Sequence, residues 1–133
     1  MLVCDLEGNE AKWDMKSYGR KNGKKNKSKL HLKARAILHE LYGALEILEE
    51  VRINVIKKRF LMLDFFIPSL NIAVEVQGQQ HFKFNSHFHG NKLGFWKSRR
   101  NDARKKEWCE INNIKLIELV YNESDEQWKE NLQ

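Results

Sequence analysis

Two apolar runs, each broken by a single carboxylate, constrain the fold of this chain more than any other feature. They are Leu61-Met62-Leu63-Asp64-Phe65-Phe66-Ile67 and Ile72-Ala73-Val74-Glu75-Val76-Gln77, with only Pro68-Ser69-Leu70-Asn71 between them. Strands joined so closely pair antiparallel. With the turn centred near Ser69-Leu70, facing residue numbers sum to about 139, which sets Asp64 opposite Glu75. Alternation sends Ile72, Val74 and Val76 to one face and Glu75 with Gln77 to the other, so Asp64, Glu75 and Gln77 project together. An ionised acid in such apolar sequence costs several kcal/mol unless it is paired or bound to a metal, and two side by side repel. A divalent cation, Mg²⁺ or Mn²⁺ in its place, turns that repulsion into coordination by oxygen ligands. The plainer alternative is a salt bridge from one acid to Arg52, Lys57 or Arg59 on the preceding strand.

Other elements follow from periodicity. Ser28 reads as an N-cap, and Leu30, Ala34, Ile37, Leu38, Leu41 and Leu45 recur at helical spacing until Gly43. Glu50 to Val55 alternates Val51, Ile53 and Val55 against Glu50, Arg52 and Asn54, the period of a half-buried strand. Residues 60–67 and 71–77 are the two strands above. A helix is expected over 92–113 with the apolar positions Trp96, Ala103, Trp108 and Ile111, then a strand over 115–121 and a short helix over 125–132. Residues 1–27 read as a basic N-terminal extension with no core of its own, and 28–133 as a single domain. The order α-β-β-β-α-β predicts an α/β (α+β) fold with a mixed sheet flanked by helices.

Charge is concentrated. The net +6 of the chain hides a segment, Lys16 to Arg35, with nine bases and no acid, while the rest of the chain carries 15 bases and 18 acids. A second block, Lys92 to Lys106, has seven bases around one acid, Asp102. Two local basic blocks on a mildly acidic body suit a polyanion, since each neutralised phosphate releases counterions. Lys21, Lys24, Lys25, Lys27, Lys29, Lys97, Arg99, Arg100 and Arg104 are the candidate nucleic-acid contacts. Aromatics are interleaved with bases between the hairpin and this block: Phe82, Phe84, Phe88, Phe95 and Trp96 with Lys83, Lys92 and Lys97. Such a composition suits base stacking, or else a satellite apolar cluster.

Leu63-Asp64-Phe65, followed by Ala73-Val74-Glu75-Val76-Gln77-Gly78 and Gln80-His81-Phe82, resembles the PD-(D/E)xK nuclease superfamily. More narrowly, it is similar to the branch of very-short-patch repair endonucleases and related phage and bacterial nucleases with a Glu-Asp-His-Asp set. The resemblance spans about residues 28–121 and is strongest over 63–82. It implies a restriction-endonuclease-like αβββαβ core, with Asp64 and Glu75 as Mg²⁺ ligands. The position two after the Glu, usually Lys, is Gln77, so water activation passes to His81. The acid of the family's later helix falls on Asp102. The Glu of its first helix is replaced by His31, an acid/base or water-holding candidate.

The implied reaction is metal-assisted phosphodiester hydrolysis by a DNA endonuclease or nickase acting on duplex or branched DNA, as a monomer or homodimer. Two alternatives are a non-catalytic nucleic-acid-binding module and a structure-specific junction resolvase. With 41% hydrophobic and 11% aromatic residues the chain is not of disordered type. No stretch approaches a membrane span, and Asp5 and Glu7 leave no signal-peptide core, so a cytoplasmic protein of a bacterium or phage-infected host is expected. Cys4 and Cys109 read as buried thiols. His81, His87 and His89 offer a zinc spacing, with no cysteine nearby to complete it.

Overall fold

A computed structural model describes residues 1–15 and 27–133. The chain opens with a small antiparallel pair, β1 (Leu2–Cys4) and β2 (Glu10–Lys12). It continues through α1 (Lys29–Tyr42), β3 (Leu48–Ile56), β4 (Arg59–Ile67), β5 (Ile72–Gln77), a 3₁₀ turn at Gln79–His81, α2 (Ser86–His89), α3 (Lys92–Ile111), β6 (Lys115–Val120) and α4 (Asp125–Leu132). The main sheet runs β3-β4-β5-β6, antiparallel in its first two pairings and parallel between β5 and β6. This is an α+β fold in the expected order. Among the described residues, no helix is long and apolar enough to cross a membrane.

Local chemistry explains the boundaries. Ser28 accepts a hydrogen bond from the His31 backbone N–H and starts α1, whose Ala34, Ile37 and Leu38 are buried. The Pro68-Ser69-Leu70 turn closes on Asn71, and α3 yields to β6 at Asn113; both asparagines have φ near +55°. Asparagine tolerates that left-handed geometry better than most residues. Asn71 Nδ2 also donates to the Asn113 carbonyl at 2.8 Å, pinning one turn to the other. At the start of α3, Gly94 is required by space, because a Cβ there would lie 2.1 Å from the His89 carbonyl oxygen.

Each face of the sheet carries its own core. Ala34, Ile37 and Leu38 of α1 with Trp128 and Leu132 of α4 pack on Phe65, Ile67, Val74 and Leu119. The opposite face packs Leu48, Val51, Ile53, Leu63 and Phe66 against Trp108 and Cys109 of α3. Val3 and Trp13 from the N-terminal segment join that second cluster, Trp13 lying 4.9 Å from Phe66 and 5.2 Å from Trp108 between ring centroids. Thus β1 and β2, which sequence reading did not foresee, are held by tertiary contacts. Helix α3 also departs from expectation: only Trp108 and Cys109 are buried, while Trp96 is 60% and Ile111 45% exposed. Its apolar positions do not form one stripe, because only its C-terminal half reaches the sheet.

Candidate functional site

The antiparallel ladder between β4 and β5 contains Ile67–Ile72, Phe66–Ala73 and Phe65–Val74 and then stops. Those pairs sum to 139, the register expected, and Asp64 with Glu75 would come next. There the strands part: β5 remains paired with β6 as far as Gln77 and Val120, and β4 stays with β3. The two acids bridge the split. Glu75 Oε2 accepts the Asp64 backbone N–H at 2.8 Å, and Asp64 Oδ2 accepts the Val76 backbone N–H at 2.8 Å. Side-chain oxygens thus satisfy strand donors that the ladder has abandoned.

Strand β3 is distorted at the same level. Its ladder to β4 passes from Glu49–Phe65 to Val51–Leu63 without pairing Glu50 to Asp64, and Glu50 has φ 53°. Leu48 and Val51 consequently face the same core although three residues apart, as do Leu63 and Phe66. A left-handed non-glycine residue beside a pair of acids is a local cost that the surrounding sheet imposes.

A cleft of about 600 Å³ opens over this break, lined by Lys27, Lys29, His31, Asp64, Glu75, His81 and Lys105 among others. Lys105 was not singled out from the sequence, yet its Nζ lies 2.7 Å from Glu75 Oε1. Burial first, then the neighbouring charge of Asp64, pushes the Glu75 carboxyl up to about 8 despite that ammonium. Burial alone would lower Lys105, but Glu75 foremost, then Asp64 and Asp102, hold it above its usual value. Lys105 is therefore a fixed cation and not a base. It brings a positive charge from a helix to the side of Glu75. The bridge once open to Arg52, Lys57 or Arg59 is made by Lys105 instead.

Two histidines flank the acids, each tied to a carboxylate. His81 Nδ1 lies 2.9 Å from Asp102 Oδ2, a contact that engages one of the two ring nitrogens. His31 Nε2 lies 2.7 Å from Glu49 Oε1, and the imidazole stacks on Phe65 at 4.5 Å. Arg35 grips both oxygens of Glu49, at 2.8 Å from Nε and 2.9 Å from Nη2. Burial raises the Glu49 carboxyl, but the Arg35 and then His31 hydrogen bonds outweigh it and leave the pKa lowered. Glu49 and Arg35 were missed because the contact joins a helix to a strand, and the two adjacent acids Glu49 and Glu50 between Leu48 and Val51 do not show which of them is buried.

The remaining candidates separate. Gln77 is buried and lines an adjoining cavity of about 250 Å³ with His81, Arg99, Asp102, Lys106 and Glu118. Of the proposed contacts, Lys27 and Lys29 line the main cleft and Arg99 the smaller one, while Lys97 and Arg100 are exposed and Arg104 half-buried on α3. Lys21, Lys24 and Lys25 lie outside the described residues. His89 Nδ1 accepts the Asn85 N–H and His81 serves Asp102, so the three histidines do not converge as a zinc site. Phe84, His89 and Phe95 pack together, with Phe84 and Trp96 still largely exposed; the Phe88 side chain lies outside those described. Cys109 is buried and its thiol pushed up to about 12, chiefly by burial, whereas Cys4 is only half-buried.

Asp64 and Glu75 fit a divalent cation on three grounds. They share a break in the sheet, Asp64 keeps Oδ1 beyond the bond from Val76, and Glu75, raised first by burial, has a second acid beside it in Asp64.

No protein-family model matches the sequence, and no solved structure matches it. The chain is similar to viral proteins. It is 42% identical over 65 residues to "Uncharacterized protein 307L" of Invertebrate iridescent virus 6, covering 49% of this chain and 33% of that one. It is 37% identical over 68 residues to "Uncharacterized protein 033L" of Invertebrate iridescent virus 3, covering 51% and 35%. It is 40% identical over 68 residues to "Uncharacterized protein 094L" of Frog virus 3 (isolate Goorha), covering 50% and 44%. The similarity therefore spans about half of this chain and between a third and somewhat under half of these relatives.

Proposed function

We propose that this chain is a metal-dependent DNA endonuclease or nickase of the PD-(D/E)xK type. The observation that carries this reading is the parted hairpin, where Asp64 and Glu75 cap each other's strand beside a half-buried Lys105 and at the foot of a basic cleft. Asp64 and Glu75 would hold Mg²⁺, or Mn²⁺, which polarises a phosphodiester and lowers the pKa of bound water. Lys105 holds Glu75 in place and offers positive charge to the phosphate. His81, oriented through Nδ1 by Asp102, exchanges a proton at Nε2; general acid–base transfer of this kind contributes typically about 10²–10⁴-fold. Lys27, Lys29 and Arg99 contact the backbone, which positions the substrate without reading its sequence.

A second reading has its own observation. Lys105 neutralises part of the Glu75 charge where a metal would sit, and Gln77 with His31 departs from the nuclease pattern, which suits a nucleic-acid-binding module without chemistry. Supercoiled plasmid separates the two. The nuclease reading expects nicking with Mg²⁺ or Mn²⁺, its loss in EDTA and its loss in Asp64→Ala. Tight plasmid binding with no nicking under any divalent metal selects the binding module.

A further inference from the structure

Strand β4 extends beyond the cleft as one half of a ribbon with β3. Going back from Asp64, Met62 and Phe60 share its face, and both are about half exposed. Opposite them on β3 stand Arg52 and Asn54, with the Arg52 guanidinium 3.7 Å from the Phe60 ring centroid. The ribbon turns at three consecutive exposed bases, Lys57, Lys58 and Arg59. Beside the turn, a groove of about 520 Å³ separates the ribbon from the N-terminal hairpin, with Lys12, Arg52, Lys57 and Lys58 in its wall and Asp5 as the one acid lining it among the described residues. Asp5 is turned to its own loop, where it accepts the backbone N–H groups of Glu7 and Asn9 at 2.8 and 2.9 Å, whereas Glu7 reaches the ribbon turn and accepts the Lys57 backbone N–H at 3.3 Å.

We propose that this ribbon tip is a second phosphate-binding site, which holds the duplex arm leaving the cleft. The inference rests on the nuclease reading and adds the path of the substrate. From Asp64 to Arg59 is five residue steps of β4, about 17 Å at ~3.4 Å per step. That length matches about five nucleotides of a B-form strand at ~3.4 Å each. The tip therefore meets the backbone roughly five nucleotides from the scissile phosphate. A polyanion is the occupant that fits: among the described residues the groove lining sets four cations against one carboxylate, which its own loop engages.

The test is the double variant Lys57→Ser, Lys58→Asn in the full chain; asparagine at 58 suits the φ of 62° found there. Binding to a duplex containing the mapped nick site is followed by anisotropy with Ca²⁺ in place of Mg²⁺, over a range of salt. Losing two phosphate contacts lowers the slope of log K against log salt by about two, and weakens binding whatever the sequence. Hydroxyl-radical protection also vanishes about five nucleotides from the nick while remaining at it. If wild type binds and nicks but the variant keeps its slope and footprint, the tip site is wrong and the nuclease reading stands. If wild type neither binds nor nicks any duplex, both fall together.

Discussion

Glu49 and Glu75 lie on the same sheet and are 1% and 3% exposed, yet they settle on opposite sides of the usual glutamate range. Glu49 is met by a two-pronged arginine and a histidine, enough to overcome burial. Glu75 has one lysine to set against burial and the adjacent Asp64. The first is a completed ion network, and the second is pushed towards its neutral form, by burial first and by Asp64 next. A buried carboxylate by itself therefore identifies nothing; the balance of its partners decides which way its ionisation moves.

The sharpest way to break this distinction is to remove the acids one at a time. Asp64→Asn and Glu75→Gln are expected to cut plasmid nicking by about 10³-fold or more, the equivalent of several kcal/mol of metal-borne stabilisation. Glu49→Gln should retain most of it. Nicking lost equally in Glu49→Gln, with unchanged melting temperature, would place Glu49 in the chemistry and end the contrast.

Stability should show the reverse order. Glu49→Ala leaves His31 and Arg35 without their acceptor, at a cost of about 3 kcal/mol in denaturant unfolding; Arg35 is 22% exposed, which argues for the low end of the range for broken buried pairs. Glu75→Gln should cost much less, since the group it removes is poorly compensated.

The pH dependence separates the same two residues. Glu75 ionises near 4.5 when unfolded and near 8 when folded, so its contribution is present below about 4.5 and lost as pH rises towards 8. The decline is about 1.4 kcal/mol per pH unit in that window. For Glu49 the folded value is lowered, so its contribution is present above the ordinary range and lost as pH falls through the folded value. Metal-free wild type should thus lose stability between about pH 4.5 and 8, and Glu75→Gln should flatten that decline while leaving the loss at lower pH in place. Unfolding curves from about pH 3 to 9 decide it; an unchanged decline towards pH 8 would show that Glu75 is not its source.

The smallest effect concerns the more exposed of the two histidine–carboxylate pairs. Asp102 and His81 are 27% and 22% exposed, so Asp102→Asn should alter stability by under about 1 kcal/mol. Its nicking rate should still fall about tenfold as His81 loses its orientation. A rate equal to wild type would reduce the pair to a surface contact.

Much of this was legible in the residues because periodicity is local. The hairpin register follows from turn length, and the helix over Asp125–Leu132 from its capping serine and spacing. What escaped was whatever depends on distant packing. Lys105 reaches Glu75 across 30 residues through the phase of α3. The parting of β4 from β5 arises because β5 follows β6, a pairing that no local signal announces. Strands β1 and β2 are three residues each, too short for a period, and they exist because Trp13 has Phe66 and Trp108 to lie against.

The Asn112 side chain, at the end of α3, both accepts from the Cys4 backbone N–H and donates to its carbonyl, at 2.8 and 2.9 Å. This clamp fastens the segment that seals the edge of β3, where Leu6 N–H meets the Val55 carbonyl and Trp13 Nε1 meets that of Arg52. Its partners are 108 positions apart, and contacts of such separation close late because the loop entropy comes first. Until they close, β3 is an unguarded edge strand, open to pairing with another chain. The clamp thus sets a window for aggregation during folding, which refolding at rising protein concentration would register as turbidity.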